Sequence, residues 1–266
     1  MSRNPYPRRA LRVGGVVVQW AVSLGLLYLL WRWVLTPKLN SAFFAGPDRT
    51  WAAFKTDLGD GVLRDMITVT LKEVLVGFGL GTVIGIVLAL VIGLSPALVG
   101  KLLEPINTGI YAMPKFVLAP ILFVWIGNGF MSRTYLVLLA TVPVVTLYMV
   151  SGIRTVDPAT TRAMRMMGAN RRQIAWKLLL PHTSSYLFTS IAFVIPHALT
   201  VAIGAEIIFG ASDGLGGGLF SRSELFNSAG VLSTLLTATV ISAVLLGLSG
   251  LVTKRLPGLS RRGPIQ

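Results

Sequence analysis

Long apolar runs alternate with short polar segments along this chain, and the runs have membrane length. Residues 13–34, 67–93, 135–153, 185–210 and 231–252 are each dominated by aliphatic residues, alanine and glycine. A hydrocarbon core about 30 Å thick takes about 20 helical residues to cross, so each run predicts a transmembrane helix. Trp20, Trp31 and Trp33 are placed to anchor the first one at the interfaces, with Arg32 snorkelling at its end. That run is too long for a signal-peptide core, and no small-residue cleavage site follows it. Residues 103–129 are apolar too, but Asn107, Pro114, Lys115 and Pro120 interrupt them.

Charge decides the interrupted segment. The N-terminal stretch carries Arg3, Arg8, Arg9 and Arg12 and no acid. Residues 154–177 carry Arg154, Arg162, Arg165, Arg171, Arg172 and Lys177 against Asp157 alone. Basic loops mark the cytoplasmic side, so an even number of crossings separates the two. Three are evident, and residues 103–129 supply the fourth as a kinked or broken helix, which a membrane tolerates where neighbours or a cavity satisfy the backbone. Residues 35–65 balance Lys38, Arg49, Lys55 and Arg64 against Asp48, Asp57, Asp60 and Asp65, as an external loop does. Residues 211–227 hold Asp213, Arg222 and Glu224, and the tail returns Lys254, Arg255, Arg261 and Arg262 to the cytoplasm.

The expected organisation is therefore all-α and multi-pass in the plasma (cytoplasmic, or inner) membrane, with six spans and both termini inside. A cytoplasmic tail (1–12) precedes the first transmembrane helix (13–34) and an external loop with a short amphipathic helix (35–66). A five-helix core (67–253) with a cytoplasmic loop (154–181) follows, then a second tail (254–266).

Composition supports this class. Of 266 residues, 53% are hydrophobic and 13% charged, against roughly 25% charged in soluble domains. In water such a chain would expose large apolar patches. The 28 glycines fit membrane helices, where glycine is common. With no cysteine there is no disulfide framework and no thiol chemistry. A net charge of +14 would point to nucleic acid in a soluble protein. Here it follows from the cytoplasmic arginines, and no aromatic-basic RNA-binding motif accompanies it.

Gly77, Gly81, Gly85, Ala89 and Gly93 recur every four residues. On a helix they form a stripe of small side chains that lets another helix approach closely; the stripe marks a central helix without saying what it carries. Glu206 sits toward the outer end of the fifth span. A carboxylate at the bilayer centre costs roughly 2–3 kcal/mol by insertion scales, and less near the interface. It should face protein or water, either lining a pathway or making a structural hydrogen bond between helices. No obvious basic partner for it appears in the sequence. His182 and His197 lack metal-site spacing, and no metal site is expected. No Gly-x-Ser-x-Gly elbow, paired-carboxylate constellation or phosphate-binding loop of the Gly-x₄-Gly-Lys type occurs. A pump built on this chain would need its ATPase, with bound ATP and Mg, on another subunit.

The most informative segment is 157–181. Asp157 suits a helix N-cap, Pro158 the first turn and Gly168 a C-terminal break. Met164 and Met167, three apart, fall on one helix face, where exposed thioethers would suit docking into a groove. An amphipathic loop held on anionic lipid by its arginines fits the same pattern.

The spacing resembles the cytoplasmic "EAA" loop of type I binding-protein-dependent ABC importer permeases, whose pattern is Glu-Ala-Ala, three residues, Gly, nine residues, Ile-x-Leu-Pro. Ala163, Gly168, Leu180 and Pro181 match, Leu178 replaces the isoleucine, and Arg162 and Met164 depart from it. The run Ser151 to Pro158, the run Met113-Pro114-Lys115 to Gly129, and Ala205-Glu206 followed by Gly214-Leu215-Gly216 resemble the nitrate/sulfonate/taurine branch. The similarity covers about residues 48 to 256.

The resemblance implies the type I permease fold, a second and usually identical permease, two ABC ATPase subunits and an external solute-binding protein. It makes the loop the ATPase-coupling element, comprising Pro158, Ala159, Arg162, Ala163, Met164, Met167, Gly168, Ala169, Leu180 and Pro181. The chain would catalyse no bond chemistry and hold no cofactor. Its cargo would be a small polar or anionic solute such as a sulfonate, nitrate or taurine. A membrane-embedded enzyme lacks its polar cluster here. An ATP-independent carrier or channel would instead show paired intramembrane charges or repeated broken helices.

Overall fold

The computed structural model describes residues 7–39, 44–95 and 97–254, with side chains over 18–39, 44–95 and 98–250. The terminal arginines used above to assign sidedness fall among the undescribed residues or side chains. Every described element is helical: α1 (Pro7–Leu29), α2 (Thr36–Lys38), α3 (Pro47–Gly59), α4 (Val62–Leu94), α5 (Ala97–Ala112), α6 (Ala119–Ile126), α7 (Phe130–Arg154), α8 (Pro158–Met166), α9 (Arg171–Ile174), α10 (Leu180–Ile208), α11 (Gly214–Glu224) and α12 (Ser228–Lys254).

Five helical stretches are long and apolar enough to cross a membrane, and α5 with α6 makes a sixth if that bent pair is one span. The pair turns through 91° at its break. Pro114 is the cause, because the residue that precedes a short 3₁₀ turn over Lys115–Leu118 can neither donate a backbone bond nor continue α5.

The spans are longer than their apolar runs. The 33 residues of α4 extend about 50 Å at 1.5 Å per residue, and its polar first turns, with Asp65, lie outside the expected run 67–93. The helix α7 begins at Phe130 rather than 135, taking in Arg133. The stretch α9–α10 is helical from Arg171 to Ile208. Pro181 interrupts its backbone bonding, and the helix widens over Ala175–Leu179 just before it.

The core is α4 against α7, with α10 packed on both. The small-residue stripe faces α7: a Cβ at Gly77 would lie 2.8 Å from the Thr134 carbonyl oxygen, and one at Gly81 would lie 2.7 Å from Thr141 Cβ. Gly85 approaches Val145, Gly93 approaches Ile153, and Ala89 is fully buried. Thr146 donates across this interface to the Gly85 carbonyl at 3.2 Å.

Around it, α12 packs on α10, and α11 wedges between α4, α10 and α12. The expected amphipathic helix is α3, held on α12 and joined to α11 by Arg222 Nη1 to Asp57 at 2.8 Å. The first helix stays peripheral, tied by Trp31 Nε1 to the Ala45 carbonyl at 3.1 Å and by Arg32 to Asp48 at 2.8 Å.

Candidate functional site

The loop between α7 and α10 folds as helix, turn, helix. Asp157 caps α8, its Oδ1 accepting from the Ala159 N–H at 2.8 Å, and Pro158 follows where no donor is needed. At the other end the Ala169 N–H donates to the Met164 carbonyl and the Gly168 N–H to the Arg165 carbonyl, both at 3.0 Å. This pair of bonds is a Schellman closure, and it places Gly168 at φ +82°. Asn170 then opens α9 with a reciprocal capping box: Asn170 Oδ1 accepts from the Gln173 N–H, and Gln173 Oε1 from the Asn170 N–H.

Thus α8 is a pre-formed, capped helix. Its inner side rests on a small core of Val156, Ile174 and Leu179, extended by Leu90, Leu94, Ile153, Met164, Ala169 and Leu178. The structure corrects one reading here. Met164 does not share an exposed face with Met167: it packs inward with Ala169, as the residue that closes a Schellman turn does. The exposed thioethers are Met166 and Met167, at 84% and 78% exposure. Pro158, Ala159, Arg162 and Ala163 are exposed beside them, whereas Leu180 is half-buried and Pro181 exposed at the start of α10.

A second polar constellation lies at the opposite ends of α7 and α10. Glu206, fully buried, accepts from Thr70 Oγ1 at 2.6 Å and from the Gly216 N–H. Thr70 Oγ1 in turn accepts from the Leu215 N–H at 2.8 Å. Glu206 and Thr70 thereby satisfy first-turn amides of α11, which no intrahelical carbonyl can reach, and the carboxylate complements the positive end of that helix. The geometry is that of an interhelical structural bond. It requires glycine, because a Cβ at Gly216 would lie 2.2 Å from the Ile203 carbonyl oxygen and one at Gly214 would lie 2.3 Å from Glu206 Oε1.

Sequence reading found no cation for Glu206, and no ion pair to it occurs among the described residues. The cation at this end is Arg133, paired with the buried Glu73 and with Asp213. Its Nε lies 3.1 Å from Glu73 Oε1 and its Nη1 2.8 Å from Asp213 Oδ1. Glu73 and Arg133 were missed for a physical reason. Arg133 stands two residues before the apolar run that marked its span, and its partners are 60 and 80 positions away. Among the described residues no group of three or more His, Asp or Glu has metal-binding geometry.

Comparison with known proteins follows the same lines. The chain is 26% identical over 242 residues to a taurine transport system permease protein of Escherichia coli K12, covering 88% of this chain and 87% of that one. It is 25% identical over 222 residues to a formylaminopyrimidine transport permease protein of Halalkalibacterium halodurans, covering 82% and 87%. Its fold matches a subunit of a bacterial ABC transporter that imports alginate, with a TM-score of 0.64 at 14% identity over 94% of this chain and 99% of that one. Residues 81–257, well over half the chain, match one family throughout, and the chain belongs to it: the binding-protein-dependent transport system inner membrane components.

Proposed function

We propose that this chain is the permease of an ATP-driven importer, working as two copies with two ABC ATPase subunits and an external solute-binding protein, and that residues 157–170 are its ATPase-coupling element. The observation that carries the coupling assignment is the capped helix α8. It is rigid at both ends, seated on the α4–α7–α10 core, and presents Met166 and Met167 outward. Burying two such thioethers in a partner's groove is favourable, since a fully buried methionine contributes about 1.5–3 kcal/mol. On the positive-inside argument α8 is cytoplasmic and α11 external.

One observation favours the carrier reading: the intramembrane ion pair of Arg133 with Glu73 that it calls for is present. That pair, however, lies near the ends of α7 and α10 and is bonded into α11, so it is committed to holding structure. The family places the chain with importer components. Binding to a separate ATPase is tested by a Met167→Cys variant, which is the only cysteine in the chain. In the purified transporter it should crosslink to the ATPase subunit, and Met164→Cys should not. Uptake that persists after ATP depletion, with no such crosslink, would favour the carrier.

A further inference from the structure

The entry to α10 has one side packed on the core and one side left open. From Arg171 the chain is helical without interruption to Ile208. Over Ala175–Leu179 the helix is a π-turn, so residues four and five apart stack on the same side there. Ile174, Ala175 and Leu179 are buried. Arg172, Gln173, Trp176 and Lys177 point the other way: all four are exposed, Trp176 at 65%. Arg172 therefore lies one turn from both Trp176 and Lys177.

Contacts with two spans fix the depth of this turn. Ile174 and Leu179 pack with Leu90, Leu94 and Ile153. Leu94 is the last residue of α4, and Ile153 stands next to Arg154, the last of α7. The turn is thus level with the place where both spans run out, at the boundary between hydrocarbon and water. On the positive-inside argument this is the cytoplasmic boundary.

The charge here is of one sign. No Asp or Glu occurs between Asp157 and Glu206, Asp157 is committed to capping α8, and Glu104 is paired with Arg154. Arg172 and Lys177 take part in none of the ion pairs among the described residues. Water would solvate the two cations and leave the indole uncovered. A phospholipid meets both needs. Its phosphate accepts charge-assisted hydrogen bonds from a guanidinium, and its interfacial region is where the amphipathic ring of tryptophan settles. The cations select an anionic headgroup, since each one near a charged membrane surface contributes about five-fold in affinity.

We infer that Arg172, Trp176 and Lys177 form a binding site for the headgroup of an anionic phospholipid, separate from the α8 surface offered to the ATPase.

The test uses the full permease–ATPase complex in detergent, titrated with dioleoylphosphatidylglycerol and, as control, dioleoylphosphatidylcholine. Native mass spectrometry reads the affinity of the tightest-bound lipid. Arg172→Gln with Lys177→Gln should weaken phosphatidylglycerol binding about 25-fold, from about five-fold per cation, and leave phosphatidylcholine within two-fold. Arg162→Gln with Arg165→Gln, which removes the same charge from α8, should leave phosphatidylglycerol within two-fold of wild type. A loss below five-fold in the first variant overturns the site. An equal loss in the α8 variant also overturns it, because it would show diffuse attraction to a basic loop. The occupant is read separately, in nanodiscs of three-to-one phosphatidylcholine and phosphatidylglycerol. A benzophenone attached to Trp176→Cys, in a chain with no native cysteine, should capture lipid. Capture of the ATPase or of a second permease copy instead would show that protein covers this face, and would overturn the inference while leaving the permease reading intact.

Discussion

Gly168→Val isolates one property of the loop between α7 and α10, its left-handed turn. Gly168 sits at φ +82°, and a Cβ built there meets no atom within 4 Å. Any effect of the substitution must therefore come from backbone conformation and not from a packing clash. An L-residue held in the left-handed region costs roughly 1–2 kcal/mol, and a β-branched one is the least tolerant. The penalty falls on the conformer in which the Ala169 and Gly168 amides close α8. A cost of that size lowers the population of the docked shape by about 5- to 30-fold, and apparent affinity falls by the same factor when only that shape binds. The spans, remote from the turn, should insert normally.

The assay is a titration of detergent-solubilised permease with its ATPase subunit, alongside the ratio of solute imported to ATP hydrolysed. Gly168→Val should weaken binding by 5- to 30-fold or uncouple hydrolysis. Gly168→Asn should lie near wild type, because asparagine visits the left-handed region most readily among ordinary residues. Equal behaviour of the two variants, both within two-fold of wild type, would refute the conformational argument. Equal and severe loss in both would show that the glycine's size matters, against the open space around it. A triple Arg162, Arg165, Arg171→Gln variant checks the lipid-surface alternative: it should weaken association less than Gly168→Val if the loop docks on protein.

Gly216→Ala should reduce the yield of folded protein sharply, because its Cβ would fall 2.2 Å from a backbone oxygen and overpacking of this kind costs about 1–3 kcal/mol or more; fluorescence-detected size exclusion reads it. Arg133→Met leaves Glu73 buried without its cation and should destabilise the protein by about 3–5 kcal/mol, lowering the thermal midpoint, whereas Arg133→Met with Glu73→Gln should recover part of the loss. No recovery in the double variant would show that Arg133 acts mainly through Asp213. Asn128→Cys and Ser223→Cys, in a chain with no native cysteine, should both react with an impermeant thiol reagent from outside the cell, and protection of Asn128→Cys would remove the fourth crossing.

Local signals carried most of what the sequence shows. Apolar runs located the spans because lipid imposes a length, and Asp157, Pro158 and Gly168 located α8 because capping chemistry is confined to a few neighbouring residues. The four-residue spacing from Gly77 to Gly93 identified a packing face, and α7 is the helix that occupies it. What sequence could not show depends on contacts between distant segments. Met164 and Met167 have the spacing of neighbours, yet one closes a turn against Ala169 while the other projects outward, a difference set by the core beneath the loop. Glu206 looked alone because Thr70 and the α11 amide it meets come from two other elements. Lys115 read as an interruption in an apolar run, and only the fold shows that it sits at the break between α5 and α6 with its ammonium on the Tyr111 carbonyl.

The two ends of the molecule are joined by one stiff unit. At the loop end, Leu90 and Leu94 of α4 and Ile153 of α7 meet Ile174, Leu179 and the α8 turn. At the far end the same helices, with α10, contribute Thr70, Glu73, Arg133 and Glu206 to the mount of α11. Between these ends, α4 meets α7 so closely that at Gly77 and Gly85 the nearest obstacles to a Cβ include backbone carbonyls. Side-chain rotation cannot absorb a displacement at such an interface, and close-packed interiors transmit strain instead of yielding gradually. A partner that pushes on α8 must then shift α4, α7 and α10 together, carrying α11 with them. The bent pair is fastened to this unit differently, through the polar bond from Asn107 Nδ2 to the Pro143 carbonyl at 3.1 Å and the ring of Phe116 over Gly204.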